Sequence, residues 1–177
     1  LVALEIDPEL VNILRQTFAG VDSFTLIQGD ALKIDLAQTV AKVASEGNFR
    51  PGFVVVANLP YYITTPLIFH LLESGAPWRR LVLMVQKEVA QRLQAPPGGK
   101  DYGALSVAIQ YRATARVAFT VPPTVFCPRP NVDSAVVVLE RLEQPFVEVL
   151  DEKTFFAVVA AAFGQRRKTL SNALTAG

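Results

Sequence analysis

The chain has 177 residues, 51% of them apolar, and its mean hydropathy of +0.32 excludes an intrinsically disordered protein. Its net charge of +1 is too small to indicate nucleic-acid binding, which would have to depend on local basic clusters. The single cysteine, Cys127, has no partner for a disulfide or a zinc site. The longest apolar stretch, residues 155–163, is shorter than the roughly 20 residues that span a bilayer. We therefore expect a cytoplasmic protein with no metal and no membrane partner.

Strands and helices are predicted to alternate through the first half of the chain. Apolar runs predict strands at residues 1–7, 24–28, 53–57 and 81–85. Helical spacing predicts helices at residues 8–18, 36–44, 65–72 and 87–93. This order is typical of a doubly wound α/β fold with a parallel core.

The second half of the chain departs from this alternation. A loop at residues 95–100 and a short helix at 104–111 precede two strands, at 115–121 and 134–139. These two strands are expected to form an antiparallel, hairpin-like edge. After the break at Gln144-Pro145, two helices are predicted at 155–163 and 169–174. We therefore expect an α/β domain over residues 1–143 and the start of a helical domain over 144–177.

Acidic side chains stand at the ends of the first two predicted strands. Glu5 is placed to accept hydrogen bonds from ribose hydroxyls, as acids at strand ends do in nucleotide-binding folds. Asp30 is placed to reach the amino group of a nucleobase, and Asp7 is a weaker rival. The alternative is that these acids only cap the helices that follow. Their repetition at strand ends favours binding.

The tetrapeptide Asn58-Leu59-Pro60-Tyr61 directly follows the third predicted strand, at the edge where open α/β sheets bind ligands. Asn58 Oδ1 and the Leu59 carbonyl can accept hydrogen bonds from an exocyclic amine, and Tyr61 can stack on the base. Two acceptors that hold the N–H bonds out of the ring plane would free the amine lone pair without a strong base. The alternative is a simple strand-ending turn, with proline fixing φ and asparagine capping a helix.

Several sequence blocks together resemble the rRNA adenine N6,N6-dimethyltransferase family, which modifies adenines near the 3′ end of small-subunit rRNA. The blocks are NLPYYITTPL at 58–67, MVQKEVAQR at 84–92, YGALSV at 102–107, VPPTVFCPRPNVDSAV at 121–136 and FGQRRKTL at 163–170. The resemblance implies a Rossmann-like S-adenosylmethionine-dependent methyltransferase sheet, followed by the start of a small helical C-terminal domain. The family's glycine-rich loop would precede Leu1, so we expect an N-terminally truncated sheet with weakened cofactor binding.

The resemblance also implies roles for residues in the matching blocks. The residues that present the target adenine are Asn58, Leu59, Pro60, Tyr61 and Phe126, with Tyr61 and Phe126 enclosing the flipped base. The residues that bind S-adenosylmethionine are Glu5, Ile6, Asp30, Ala31 and Asn58. Glu5 is implied to hold the cofactor ribose and Asp30 its adenine.

Basic residues supply candidates for RNA contacts. Arg166, Arg167 and Lys168 form the best local cluster, and Arg129 lies beside the second aromatic residue. Further candidates for phosphate contacts are Arg79, Arg80, Lys87, Arg92 and Lys100. A solvated helix face explains any one of them equally well. The expected partner is small-subunit rRNA within an immature small ribosomal subunit, bound by a monomer.

Three alternatives remain open at this level. An erythromycin-resistance type methylase of large-subunit rRNA would share the fold and the tetrapeptide theme. A non-catalytic RNA-binding assembly factor would keep the fold without the activity, although Asn58, Tyr61 and Phe126 are all present. A DNA adenine methylase fits the surrounding blocks less well. We expect two successive methyl transfers to each of two adjacent rRNA adenines.

Overall fold

A computed structural model of the chain describes residues 1–45, 52–165 and 168–176. The chain divides into two compact units. The first comprises Leu1–Phe53 and Ile63–Trp78, and the second comprises Val54–Tyr62 and Arg79–Gly177. Within the described ranges, no helix is both long enough and apolar enough to span a membrane.

The described residues form six strands and seven α-helices. The strands are β1 (Val2–Glu5), β2 (Thr25–Gln28), β3 (Phe53–Asn58), β4 (Trp78–Gln86), β5 (Ala113–Val121) and β6 (Ser134–Arg141). The helices are α1 (Pro8–Thr17), α2 (Leu36–Ser45), α3 (Thr64–Glu73), α4 (Lys87–Leu93), α5 (Ala104–Arg112), α6 (Glu152–Gly164) and α7 (Leu170–Ala176). Two short 3-10 turns lie at Tyr61–Ile63 and Pro123–Val125.

The first unit contains a two-stranded parallel sheet. β1 pairs with β2 in a register that places Glu5 opposite Gln28, so both strands end at the same edge. Helix α1 begins directly after this edge because Asp7 caps it, accepting hydrogen bonds from the Glu9 and Leu10 amides at 2.8 and 3.4 Å. The four residues of β1 are all half-buried. This edge therefore stays accessible.

The second unit is built around a four-stranded sheet with the order β3-β4-β6-β5. β6 runs antiparallel to both of its neighbours, β4 and β5. Alternate residues of β4 form the core, because successive side chains of a strand point to opposite faces. Leu81, Leu83 and Val85 are completely buried, and Leu139 of β6 is buried beside them in the register. This apolar core fixes the strand ends on which the site is built.

The helix α6 is attached to α5 by aromatic and ionic contacts. The ring of Tyr111 lies 5.2 Å from that of Phe155 and 5.4 Å from that of Phe156, measured between centroids. Arg112 pairs with Glu152 and stacks on Phe156. Asp151 caps α6 by accepting a hydrogen bond from the Thr154 amide at 2.7 Å. These contacts give the helix a fixed start.

The α/β class and the antiparallel pairing of the last two strands are confirmed. The strands β4 and β6 are longer than predicted, β4 beginning at Trp78 and β6 ending at Arg141. Their polar ends pair across the sheet, where Arg80 lies opposite Glu140 and bonds it at 2.6 Å. A local apolar pattern cannot reveal such an extension. The domain division after residue 143 stays a prediction.

Candidate active site

The tetrapeptide lies at the end of β3, as predicted. Asn58 is the last residue of the strand and is exposed, whereas Leu59 is only 3% exposed. The Leu59 amide donates to the Met84 carbonyl of β4 at 3.1 Å, which ties the segment to the neighbouring strand. Pro60 has no amide hydrogen with which to continue the strand pairing, and a 3-10 turn follows at Tyr61–Ile63. The segment is thus anchored by its backbone and leaves Asn58 accessible.

A second segment, after β5, also lines the site. The 3-10 turn Pro123–Val125 ends at Phe126, whose amide donates to the Pro123 carbonyl at 3.3 Å. Together the two segments enclose an open cavity of about 280 Å³. Its lining residues are Asn58, Leu59, Pro60, Tyr61, Phe126, Pro128 and Pro130. All five residues that the sequence suggested for the target adenine therefore line one cavity.

The ring of Tyr61 is held at its far end by a hydrogen bond that the sequence analysis did not anticipate. Tyr61 Oη lies 2.9 Å from Ser134 Oγ. Ser134 is the first residue of β6, is 1% exposed, and pairs with Gln86 of β4 and Val121 of β5. The sequence carried one signal of this role, a serine at the start of the apolar run 134–139. The partner could not be found because it lies 73 residues away.

The acidic residues of the first unit also serve their local backbone. Glu5 Oε1 accepts hydrogen bonds from the Ile6 and Asp7 amides at 2.7 and 2.9 Å. Asp30 Oδ1 accepts from the Leu32 amide at 3.0 Å, and its Oδ2 lies 3.5 Å from Lys33 Nζ. These amides precede the helices, so the alternative of helix capping applies to Asp7, which caps α1, and not to Glu5 or Asp30.

These carboxylates keep capacity for a ligand. A carboxylate offers about four lone-pair positions, and the backbone amides of Ile6 and Asp7 use only one oxygen of Glu5. Glu5 and Asp30 follow adjacent parallel strands, so they lie at the same edge of the sheet. Beside them, Ile6 is exposed and Ala31 is half-buried. Acceptors next to apolar surface suit the hydroxyls, amino group and ring face of a nucleoside.

The basic residues suggested for RNA contacts differ in their surroundings. Arg129 and Lys168 are exposed, whereas Arg166 and Arg167 lie outside the described residues. Two further candidates are paired with acids: Arg80 with Glu140 at 2.6 Å and Lys87 with Asp133 at 3.1 Å. Their charges are already partly neutralised, which makes them weaker candidates for phosphate contacts than Arg129.

Comparison with known proteins identifies the family of the chain. The family described as ribosomal RNA adenine dimethylase matches residues 1–176. The chain belongs to this family. It is 55% identical over 174 residues to the ribosomal RNA small subunit methyltransferase A of Streptococcus gordonii, covering 98% of this chain and 59% of that protein. The ribosomal RNA small subunit methyltransferase A of Moorella thermoacetica is also 55% identical over 174 residues, which cover 98% of this chain and 60% of that protein.

Solved structures show the same fold. A dimethyladenosine transferase from Plasmodium falciparum is 29% identical, with a TM-score of 0.74 over 97% of this chain and 58% of that one. The 23S rRNA methyltransferase ErmE has a TM-score of 0.72 at 22% identity, covering 99% of this chain and 66% of that one, which shows the fold alone. The chain spans about three fifths of the length of the curated relatives named above.

Proposed function

We propose that the protein transfers methyl groups from S-adenosylmethionine to N6 of two adjacent adenines near the 3′ end of small-subunit rRNA, two groups to each. The observation that carries this proposal is the cavity at the end of β3, which is lined by the exposed amide of Asn58 and by two aromatic side chains, Tyr61 and Phe126. An adenine presents a flat apolar ring and one exocyclic amine, and this cavity offers a complementary surface to each.

Within the cavity, each residue has a defined task. Asn58 Oδ1 and the Leu59 carbonyl accept hydrogen bonds from the N6 amine, which turns its lone pair away from conjugation with the ring. Tyr61 and Phe126 hold the base by stacking after it has left the RNA helix. Pro60 keeps the turn rigid, so the two acceptors do not need to reorganise. The amine proton is lost to solvent after transfer, so no strong base is required.

Four of the proposed cofactor residues, Glu5, Ile6, Asp30 and Ala31, belong to the first unit. S-adenosylmethionine, when bound, supplies the methyl group from its sulfonium sulfur. Glu5 would accept hydrogen bonds from the ribose hydroxyls, and Asp30 would accept one from the adenine amino group. Ile6 and Ala31 would contact the adenine ring. These assignments are supported by the placement of both carboxylates at the shared edge of β1 and β2.

The substrate is proposed to be a hairpin in the rRNA of an immature small ribosomal subunit. A single-stranded loop lets an adenine leave its stack at little cost, which favours such a structure. The names of the bacterial relatives, which specify the small subunit, support this choice over the large subunit. Arg129, Lys168, Arg166 and Arg167 would contact phosphates. We propose a monomer that acts in the cytoplasm, where ribosomal subunits assemble.

The decisive experiment maps methylated adenines after reaction with the full-length protein. Unmethylated small and large ribosomal subunits are incubated separately with radiolabelled S-adenosylmethionine, and the modified nucleotides are located by mass spectrometry. Two adjacent dimethylated adenines in the small-subunit rRNA are expected. Methylation confined to large-subunit rRNA would instead support the erythromycin-resistance type of methylase. Stoichiometric binding without any methylation would support the assembly-factor alternative.

A further inference from the structure

The hydrogen bond between Tyr61 and Ser134 lies at the candidate active site, yet Ser134 does not line the cavity. We propose that Ser134 is a positioning residue that holds the Tyr61 side chain in the one rotamer that places its ring against the target adenine. The inference rests on the proposed function, because it assigns the ring to base stacking. It adds a residue on which catalysis depends and which touches neither the base nor the cofactor.

Ser134 has the properties of a fixed anchor. It is 1% exposed, and its position in the sheet is set by strand pairing on both sides, with Gln86 of β4 and Val121 of β5. Since adjacent strands restrain its backbone from both directions, its hydroxyl has a nearly constant position. A hydroxyl on a loop would lack this restraint.

Tyr61, in contrast, needs an external restraint. It lies in a short 3-10 turn and is 37% exposed, so packing covers only part of the ring. An exposed aromatic side chain exchanges rotamers on the picosecond to nanosecond scale. The bond from Oη to Ser134 holds the end of the ring that is farthest from the backbone. It therefore limits rotation about the Cα–Cβ bond, which sets the direction of the ring, more effectively than a contact near Cβ would.

The two attachments of the tetrapeptide lead to the same pair of strands. The Leu59 amide bonds to Met84 of β4, and Tyr61 Oη bonds to Ser134 of β6. β4 and β6 are directly paired, with Gln86 opposite Ser134. The amine acceptors and the stacking ring are thus attached to the same pair of strands, which keeps their mutual geometry constant during the reaction.

The test compares four variants of the full-length protein: Ser134→Ala, Tyr61→Phe, the double variant and Ser134→Thr. Methylation of unmethylated small subunits gives kcat and KM. Ser134→Ala and Tyr61→Phe each remove the bond, so each should lower kcat about fivefold, as expected for one net hydrogen bond, with KM little changed. The double variant should be no slower than either single variant, because both remove the same bond. Ser134→Thr retains the hydroxyl and should restore most of kcat.

Ser106→Ala is the matched control for burial. Ser106 is completely buried, and its hydroxyl donates to the Arg92 carbonyl at 2.6 Å, with no contact to Tyr61 among the described residues. It should lower the midpoint of thermal unfolding while kcat stays at the wild-type value. A second readout uses RNA with 2-aminopurine at the target position, whose fluorescence is quenched by stacking. Quenching should weaken in Ser134→Ala and in Tyr61→Phe alike.

Two results would overturn the positioning role. Wild-type kcat in Tyr61→Phe would do so even if Ser134→Ala failed to fold, because this substitution removes one hydroxyl from a partly exposed ring and leaves the core intact. Independent, multiplicative losses in the double variant would show that the two hydroxyls act separately. Failure of the proposed function itself would be recognised differently, by absence of adenine methylation in the wild-type protein.

Discussion

The candidate site residues of the two units are held in different ways. In the first unit, Glu5 and Asp30 bond to amides one or two positions along the chain. In the second unit, Leu59 and Tyr61 bond to Met84 and Ser134, which are distant in sequence. The candidate cofactor acceptors are therefore shaped by local turns, whereas the candidate base cavity is shaped by sheet packing. Damage to the sheet of the second unit should affect the cavity first.

The largest expected effect is on turnover and concerns Asn58. Asn58→Ala removes one of the two acceptors proposed to hold the N6 amine, so kcat should fall about 100-fold or more, as when a preorganised polar group is removed from other active sites. Methylation of small subunits measures this loss. Because Asn58 is exposed, the free energy of unfolding should be unchanged. Undiminished turnover would contradict the assigned chemistry.

The difference in burial between the two sheets can be tested by two matched substitutions. Leu83 of β4 is completely buried, whereas Leu4 of β1 is half-buried. Leu83→Ala should lower the free energy of unfolding by about 3 kcal/mol, and Leu4→Ala by about 1 kcal/mol. Urea denaturation of the full-length protein measures both. Equal losses would show that the two sheets are equally packed.

A smaller effect is expected for cofactor binding by the first unit. Glu5→Ala removes the proposed charged acceptor of the ribose hydroxyls and should weaken S-adenosylmethionine binding about tenfold, measured by calorimetry on the full-length protein. Asp7→Ala is the control, because Asp7 also stands at this strand end but caps α1. It should reduce stability by about 1 kcal/mol and leave affinity unchanged. Similar affinity losses in both variants would mean that the whole edge, not Glu5, was disturbed.

The smallest expected effect depends on pH and concerns α6. Hydrogen bonds from Thr154, first through its side chain and then through its amide, hold the pKa of Asp151 below its ordinary value. Because the pKa is lowered in the folded state, the ionised carboxylate stabilises that state at pH values above its ordinary pKa of about 4. This contribution is lost progressively as the pH falls below that value. Asp151→Asn keeps a capping side chain that does not titrate. Thermal unfolding between pH 3 and 7 should therefore show a shallower acid slope in this variant.

The elements could be predicted from the sequence because they depend on local pattern. Strand runs, Pro8 at a helix start and the turn at Pro60 are visible in short windows. The site residues could be suggested by the family resemblance. Two features could not be predicted: the distribution of the strands over two sheets, and the bond between Tyr61 and Ser134. Both are tertiary, since they join residues whose local sequences carry no information about each other.

The pairing of β6 has a consequence for errors in folding. Successive residues of a strand face opposite sides, so a slip of one residue would exchange Ser134 for Ala135 and leave Tyr61 without its partner. The same slip would bring Glu140 into the place of Leu139, which is completely buried opposite Leu81, and would separate Glu140 from Arg80. A buried carboxylate without a partner is costly, so the misaligned pairing is disfavoured. The apolar register that forms the core therefore also keeps Ser134 beside Tyr61.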